Sequence, residues 1–241
     1  MAKNNSKARI VVPASGLAFL KTLKNNNNRD WFNANKDTFL KEQHEIEIFA
    51  DALLQALNAH DSIETASGKK SLHRIYRDTR FSNNKTPYKT NWSGSFRRAT
   101  HLRRGGYYYH IKPGNSFIAG GFWGPSPQDL KRIRDDISFD AAPLRKIIKS
   151  KLFISTFEKL QGEQLKTTPK GFEAENEAID LLRFKQFLVI RKFTDKEVLG
   201  ETFLEEAGKT FKNMRPFFDY MSEVLATGVN GTALQTVGIY Q

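Results

Sequence analysis

The chain has 241 residues, enough for one large domain or two small ones around a sizeable core. It holds no cysteine, which excludes disulfides, thiolate metal sites and a cysteine nucleophile, and no apolar run of about 18 residues, which excludes a membrane-spanning helix. The formal net charge of +12 directs attention to anionic partners (nucleic acid, nucleotides, phosphorylated metabolites or an acidic protein), with the cytoplasm as the default compartment.

Residues 1–12 read as a disordered basic arm, whose short apolar run Ile10–Val12 is too brief for a secretory signal. From Gly16 the spacing of Leu17 and Leu20 predicts a helix. The run of asparagines in "KNNNNRDW" interrupts it, because asparagine side chains compete for the backbone and favour turns and caps. Asp30 is the expected N-cap of the next helical segment. Phe39, Ile46, Phe49, Leu53, Leu54 and Leu57 then recur at helical spacing, predicting a long amphipathic helix over residues 36–57.

The middle of the chain reads as sheet. In "HRIYRDTRFS" a strand would turn Ile75, Arg77, Thr79 and Phe81 to one face and Arg74, Tyr76, Asp78 and Arg80 to the other. "NNKTPYKTN" is a loop around Pro87. "GGYYYHIKPGNSFIAGGFWGP" predicts a β-hairpin turning at "KPGN", with Gly120 and Gly121 marking a bulge or a close backbone approach.

Helical signals then return. Ser126 and Pro127 open a helix whose Leu130, Ile133 and Ile137 share a face, and Asp140 caps a second over residues 143–149. "GEQLKTTPKGF" reads as a short strand and turn, "AIDLLRFK" as a short helix and "QFLVIRKF" as a buried strand. Thr194 and Glu197 form a capping box for a helical region that runs to about Thr227 and is kinked or broken at Pro216. The expected class is α+β: a single domain over residues 13–227, with a mainly antiparallel sheet flanked by N-terminal and C-terminal helices. Residues 228–241 read as a C-terminal tail.

Four blocks stand in a distinctive order: "FLKTLKNNNNRDWF" (19–32), "RIYRDTRFSNNKTPYKT" (74–90), "YYYHIKPGNSFIAGGFWGP" (107–125) and "PKGFEAENEAIDLLRFKQF" (169–187). Together they resemble a family of bacterial and fungal proteins designated domain of unknown function 2461, over residues 13–225. The resemblance implies one domain and brings no reaction, substrate or cofactor with it. The family pattern usually places Asp where this chain has Asn84, and Asp-His-Pro where it has Glu175, Asn176 and Glu177. An activity that depended on that acid or that histidine would be missing here.

The chemistry concentrates in residues 74–91, which carry five basic side chains and one acid with aromatics between them. On a strand, Asp78 would hold Arg74 and Arg80 in fixed orientation, so that paired guanidinium donors meet an anion such as phosphate. Lys85, Lys89 and Tyr88 would reach in from the loop. The alternative is a salt-bridged strand whose arginine stems cover a half-buried face. Arg97, Arg98, Arg103 and Arg104 read as a solvated basic surface. Alternation sends Tyr107, Tyr109 and Ile111 to the core and leaves Tyr108 beside His110 for ligand contact. His110 is the leading acid–base candidate, with His73 nearby and Tyr88 and Asp78 as further candidates.

No spacing of metal ligands and no phosphate-binding loop occurs, so no metal is expected and the cofactor stays open. The functional expectation is an electropositive pocket, catalytic or not, for an anionic small molecule or phosphate group. The alternatives are a nucleic-acid-binding module on the basic surface and a scaffold without ligand.

Overall fold

A computed structural model describes residues 9–100, 102 and 104–227. The tail at 228–241 and all but the last four residues of the expected basic arm lie outside the described residues. In chain order the elements are α1 (Ala14–Asn25), α2 (Arg29–Ala34), α3 (Lys36–Asn58), α4 (Gly68–Ser71), β1 (Trp92–Arg97), β2 (Gly106–Ile111) and β3 (Ser116–Phe122). Next come α5 (Pro127–Phe139), α6 (Ala142–Ile148), α7 (Lys151–Phe157), α8 (Ile179–Leu182), β4 (Phe187–Phe193), α9 (Asp195–Val198), α10 (Phe203–Asn213) and α11 (Arg215–Ala226). The strands make one antiparallel sheet in the order β1-β2-β3-β4, and the class is α+β.

The described residues group into two compact units. The first runs to Phe96 and adds Tyr108–Ile118 and Lys192–Thr210; the second holds Arg97–Tyr107, Ala119–Arg191 and the chain from Phe211 onward.

In the first unit α3 buries the stripe Phe39, Ile46, Phe49, Leu53, Leu54 and Leu57 that its spacing predicts. Phe49 stacks on Phe203 at 5.5 Å, and the Trp92 ring packs on Phe39 at 5.5 Å while its indole N–H donates to the Gly16 carbonyl. The asparagine run has a definite use. Asn28, rather than Asp30, caps α2 by accepting from the Trp31 N–H, and the Asn27 side chain bonds both backbone groups of Tyr88, at 3.0 and 3.1 Å.

Residues 74–81 do not form a strand. Backbone pairing there is confined to the Tyr76–Tyr88 bridge, flanked by Arg77 N–H to Pro87 carbonyl and Lys89 N–H to Ile75 carbonyl, with residues 78–86 as a loop beyond it. The next strand in the chain is β1, which buries Trp92, Ser93, Gly94 and Phe96 and had no place in the sequence reading.

In the second unit the sheet residues Tyr107 and Phe122 pack on the rings of α10 and α11, with Tyr107 5.0 Å from Phe211 and 4.9 Å from Phe218. Gly121 has φ 135° and lies against β4 so closely that a Cβ there would sit 2.1 Å from the Phe187 carbonyl oxygen, which is the close approach its sequence context predicts. Two arginines expected in solvent are structural instead. Arg98 is buried, donating to Asp219, to Ser222 and to the Arg104 carbonyl, with its guanidinium 5.2 Å from the Phe218 ring. Arg104 pairs with Asp129 at 2.6 Å. Arg103 lies outside the described residues, and Arg97 is exposed. The stretch from Gly162, expected as a short strand and turn, contributes an isolated bridge from Gln164 to Phe184, and Gln161 just before it bridges to Leu188.

Candidate functional site

A cavity of about 350 Å³ opens in the first unit, lined by His73, Arg77, Asp78, Lys89, Asn91, Ser93, Tyr108 and His110. Three local structures supply all of these groups but His73, which precedes the hairpin and donates its backbone N–H to the Ser93 carbonyl. The short hairpin around the Tyr76–Tyr88 bridge presents Arg77, Asp78 and Lys89; β1 and the residue before it present Ser93 and Asn91; and β2 presents Tyr108 and His110 two positions apart on one face. The other face of β2 sends Tyr107, Tyr109 and Ile111 into the core, so the alternation sets which groups can meet a ligand.

His110 is the most enclosed titratable group of the set. Its Nδ1 lies 3.0 Å from the Tyr108 hydroxyl, its ring stacks on Phe117 at 4.7 Å, and its buried Nε2 has no hydrogen-bond partner among the described residues. Burial, and then the Lys112 ammonium, lower its pKa from 6.5 to about 4, so the imidazole is neutral at pH 7. His73 is also lowered, by burial first and the Lys89 charge second, and its Nε2 lies 3.0 Å from the Ser95 hydroxyl. Burial raises the Tyr108 phenol, which also shares a hydrogen bond with Ser93. Lys89 is lowered by burial and by the neighbouring Arg74. Two neutral imidazoles and a protonated phenol therefore face a cavity whose cations are Arg77 and Lys89.

Of the residues expected at a site, Asp78, Lys89, Tyr108 and His110 line this cavity. Arg80 is exposed and occupied by Asp78, whose two carboxylate oxygens accept from its Nε and Nη2 at 3.0 and 2.7 Å; that pairing lowers Asp78 and raises Arg80. Lys85 donates to the Thr79 carbonyl within its own loop. Arg74 is exposed and not part of the described lining, and its field acts on Lys89 and Asp78. The Tyr88 ring is buried against Phe32 at 3.9 Å, outside the lining.

Arg77, Asn91 and Ser93 are the groups that sequence reasoning passed over. Strand parity assigned Arg77 to the wrong face, because the segment is irregular and parity holds only on a strand. Its guanidinium bonds the Thr86 hydroxyl and lies 3.5 Å from Ser82, which holds the 78–86 loop over the site. Asn84, where the family pattern has Asp, accepts from the Thr86 N–H and hydroxyl at 3.0 and 2.8 Å, the turn geometry that either residue makes. Asn176 likewise serves a local end, accepting from the Ala178 N–H at the start of α8. Among the described residues no group of three or more His, Asp or Glu is placed to share a metal ion.

The α+β architecture and the four ordered sequence blocks define a class, and a family model confirms it. The model described as conserved hypothetical protein (DUF2461) matches residues 15–220, and the chain belongs to that family. No curated protein and no solved structure matches the chain. No helix among the described residues is long and apolar enough to cross a membrane.

Proposed function

We propose that the cavity between the 75–89 hairpin and β2 binds a phosphate-bearing or other anionic small molecule. The observation that carries this reading is the convergence of Arg77 and Lys89 on one concavity whose other polar walls, Asn91, Ser93, Tyr108 and His73, are neutral donors or acceptors. The only carboxylate among the described lining residues, Asp78, is already spent on Arg80. An anion between the two cations would gain charge-assisted hydrogen bonds and relieve their mutual repulsion. His110, neutral and joined to Tyr108, is the group to accept a proton if the bound molecule reacts, with Tyr108 to deliver one. The cysteine-free chain suits the reducing cytoplasm, and we place the protein there.

A thermal-shift panel of inorganic phosphate, nucleotides and sugar phosphates tests the reading. A ligand at about 100 times its Kd adds about 2.7 kcal/mol of stability. Lys89→Gln and Arg77→Gln should each remove most of that gain. Because Arg77 also holds the 78–86 loop, Lys89→Gln is the cleaner variant. A bound anion should also raise the His73 pKa, since it offsets the Lys89 field that helps lower it. A ligand-independent His73 titration together with an unaltered shift in Lys89→Gln would refute the proposal.

A second reading rests on a separate observation. Phe81 is 97% exposed and Tyr76 53% exposed, between Arg74, Arg80 and Lys85. Rings interleaved with cations are a stacking surface for single-stranded nucleic acid. That reading requires oligonucleotide affinity that falls steeply with salt and drops in Phe81→Ala. A site for a small anion in the cavity would show neither.

A further inference from the structure

A second cavity, of about 430 Å³, lies in the same unit and shares no lining residue with the first. Its cations come from places distant in sequence. Lys21 and Lys24 stand three residues apart on one face of α1, and Lys112 follows the last residue of β2. Asp195 is the only acid among the described lining residues, accepting the Gly114 N–H at 2.7 Å and lying 3.8 Å from the Lys21 ammonium. Lys24 and Lys112 make no ion pair with a carboxylate among the described residues. Three ammonium groups against one carboxylate leave two positive charges around the cavity.

Lysines on an open surface spread apart and cost little. Gathered on one concavity they repel, and the Lys21–Asp195 pair offsets only one of the three charges. The ends of the α1 carbonyls favour a cation near Lys24, but they give no account of Lys112, which is half-buried and arrives on a different element. The walls suit a guest with an apolar part, because Leu20 and Pro113 complete the lining. The volume is in the range of small-molecule sites and exceeds what a lone phosphate fills.

We infer that this cavity is a second anion site, which takes the phosphate group of a small phosphorylated molecule between Lys24, Lys112 and Lys21, with its organic part against Leu20 and Pro113. Ammonium groups serve as point-charge phosphate binders, and three from two elements hold the anion without an arginine fork. The assignment stands whether or not the first cavity binds a ligand.

Backbone amide NMR during a titration with inorganic phosphate, at ionic strength matched with chloride, tests it. The expected result is a saturable shift at Gly114 and Thr90, which line this cavity. That shift should weaken at least about tenfold in affinity in the double variant Lys24→Gln/Lys112→Gln, the loss of charge-assisted bonds of this kind, and persist in Lys89→Gln. Both substituted lysines are at least partly exposed, so the fold is retained, which the unchanged remainder of the spectrum verifies. Shifts that rise linearly without saturating, or that survive intact in the double variant, overturn the inference. Shifts at Asn91, Ser93 and His110 report the first cavity separately, so either site can fail without the other.

Discussion

Tyr108 and His110 occupy successive positions on one face of β2, with the phenol oxygen 3.0 Å from Nδ1 of the imidazole. The pair is half-buried, and Phe117 covers the imidazole ring. The result is an imidazole that stays neutral far below the pH at which a free histidine takes up a proton.

His110 should therefore titrate near 4 in the folded protein, against 6.5 unfolded. The unfolded chain binds more protons between these values, so the contribution of His110 to stability is full above 6.5 and is lost as pH falls toward about 4. Imidazole NMR gives the pKa directly. Urea unfolding of the wild type and His110→Gln should show the wild type losing more stability over that interval, and parallel pH profiles would contradict the assignment.

Asn27 joins the asparagine turn to the backbone of Tyr88 through two hydrogen bonds. Replacement by Ala leaves a partly buried N–H and carbonyl without those partners, at a cost of about 1–3 kcal/mol. The Tyr88 segment carries Lys89 into the cavity, so Asn27→Ala should weaken anion binding as well as lower the urea midpoint. A midpoint equal to that of the wild type would show that water replaces both bonds.

Arg98 has a fully enclosed guanidinium whose carboxylate partner, Asp219, is half exposed. Removing one member of a wholly buried pair costs about 3–5 kcal/mol. Here water can reach Asp219 once the arginine is gone, so Arg98→Ala should fall below that range, at about 2–3 kcal/mol, with much of it from the hole beside Phe218. Denaturant unfolding measures it. A loss under about 0.5 kcal/mol, the scale of a surface change, would restore the solvated reading of this arginine.

Two glycines with positive φ separate backbone strain from steric exclusion. Gly114, at φ 72°, has open space where a Cβ would go, so Gly114→Ala should cost only the left-handed penalty of about 1–2 kcal/mol. Gly121→Ala would drive a methyl to 2.1 Å from the Phe187 carbonyl oxygen and force β3 and β4 apart. It should cost more than about 4 kcal/mol, the exceptional end for single substitutions, or prevent folding. Comparable melting temperatures for the two variants would contradict this account.

Local free energies made much of this fold legible in the residue order. The stripe from Phe39 to Leu57, Pro127 behind the Ser126 cap, the Thr194–Glu197 box and the β2–β3 hairpin all rest on contacts within a few residues, and each stands where its pattern places it. Alternation likewise separated Tyr107 and Tyr109 from Tyr108 and His110, because the strand there is regular. The lining of the cavity was a different matter. Residues 74–81 carry an alternating pattern but fold as an irregular arm with one bridge, since the partner for a full ladder is interrupted by Pro87 and the Asn84 turn. Parity then fails, so Arg77 faces the cavity while Arg80 closes on Asp78 in solvent. Arg98 has its two side-chain partners, Ser222 and Asp219, more than a hundred residues away, and no local pattern can announce a contact of that range. The sequence determined the helices with local signals, the β2–β3 hairpin and the net positive charge; chain-distant packing alone decided which cations converge and which are spent as structure, because that depends on backbone direction at irregular positions rather than on residue type.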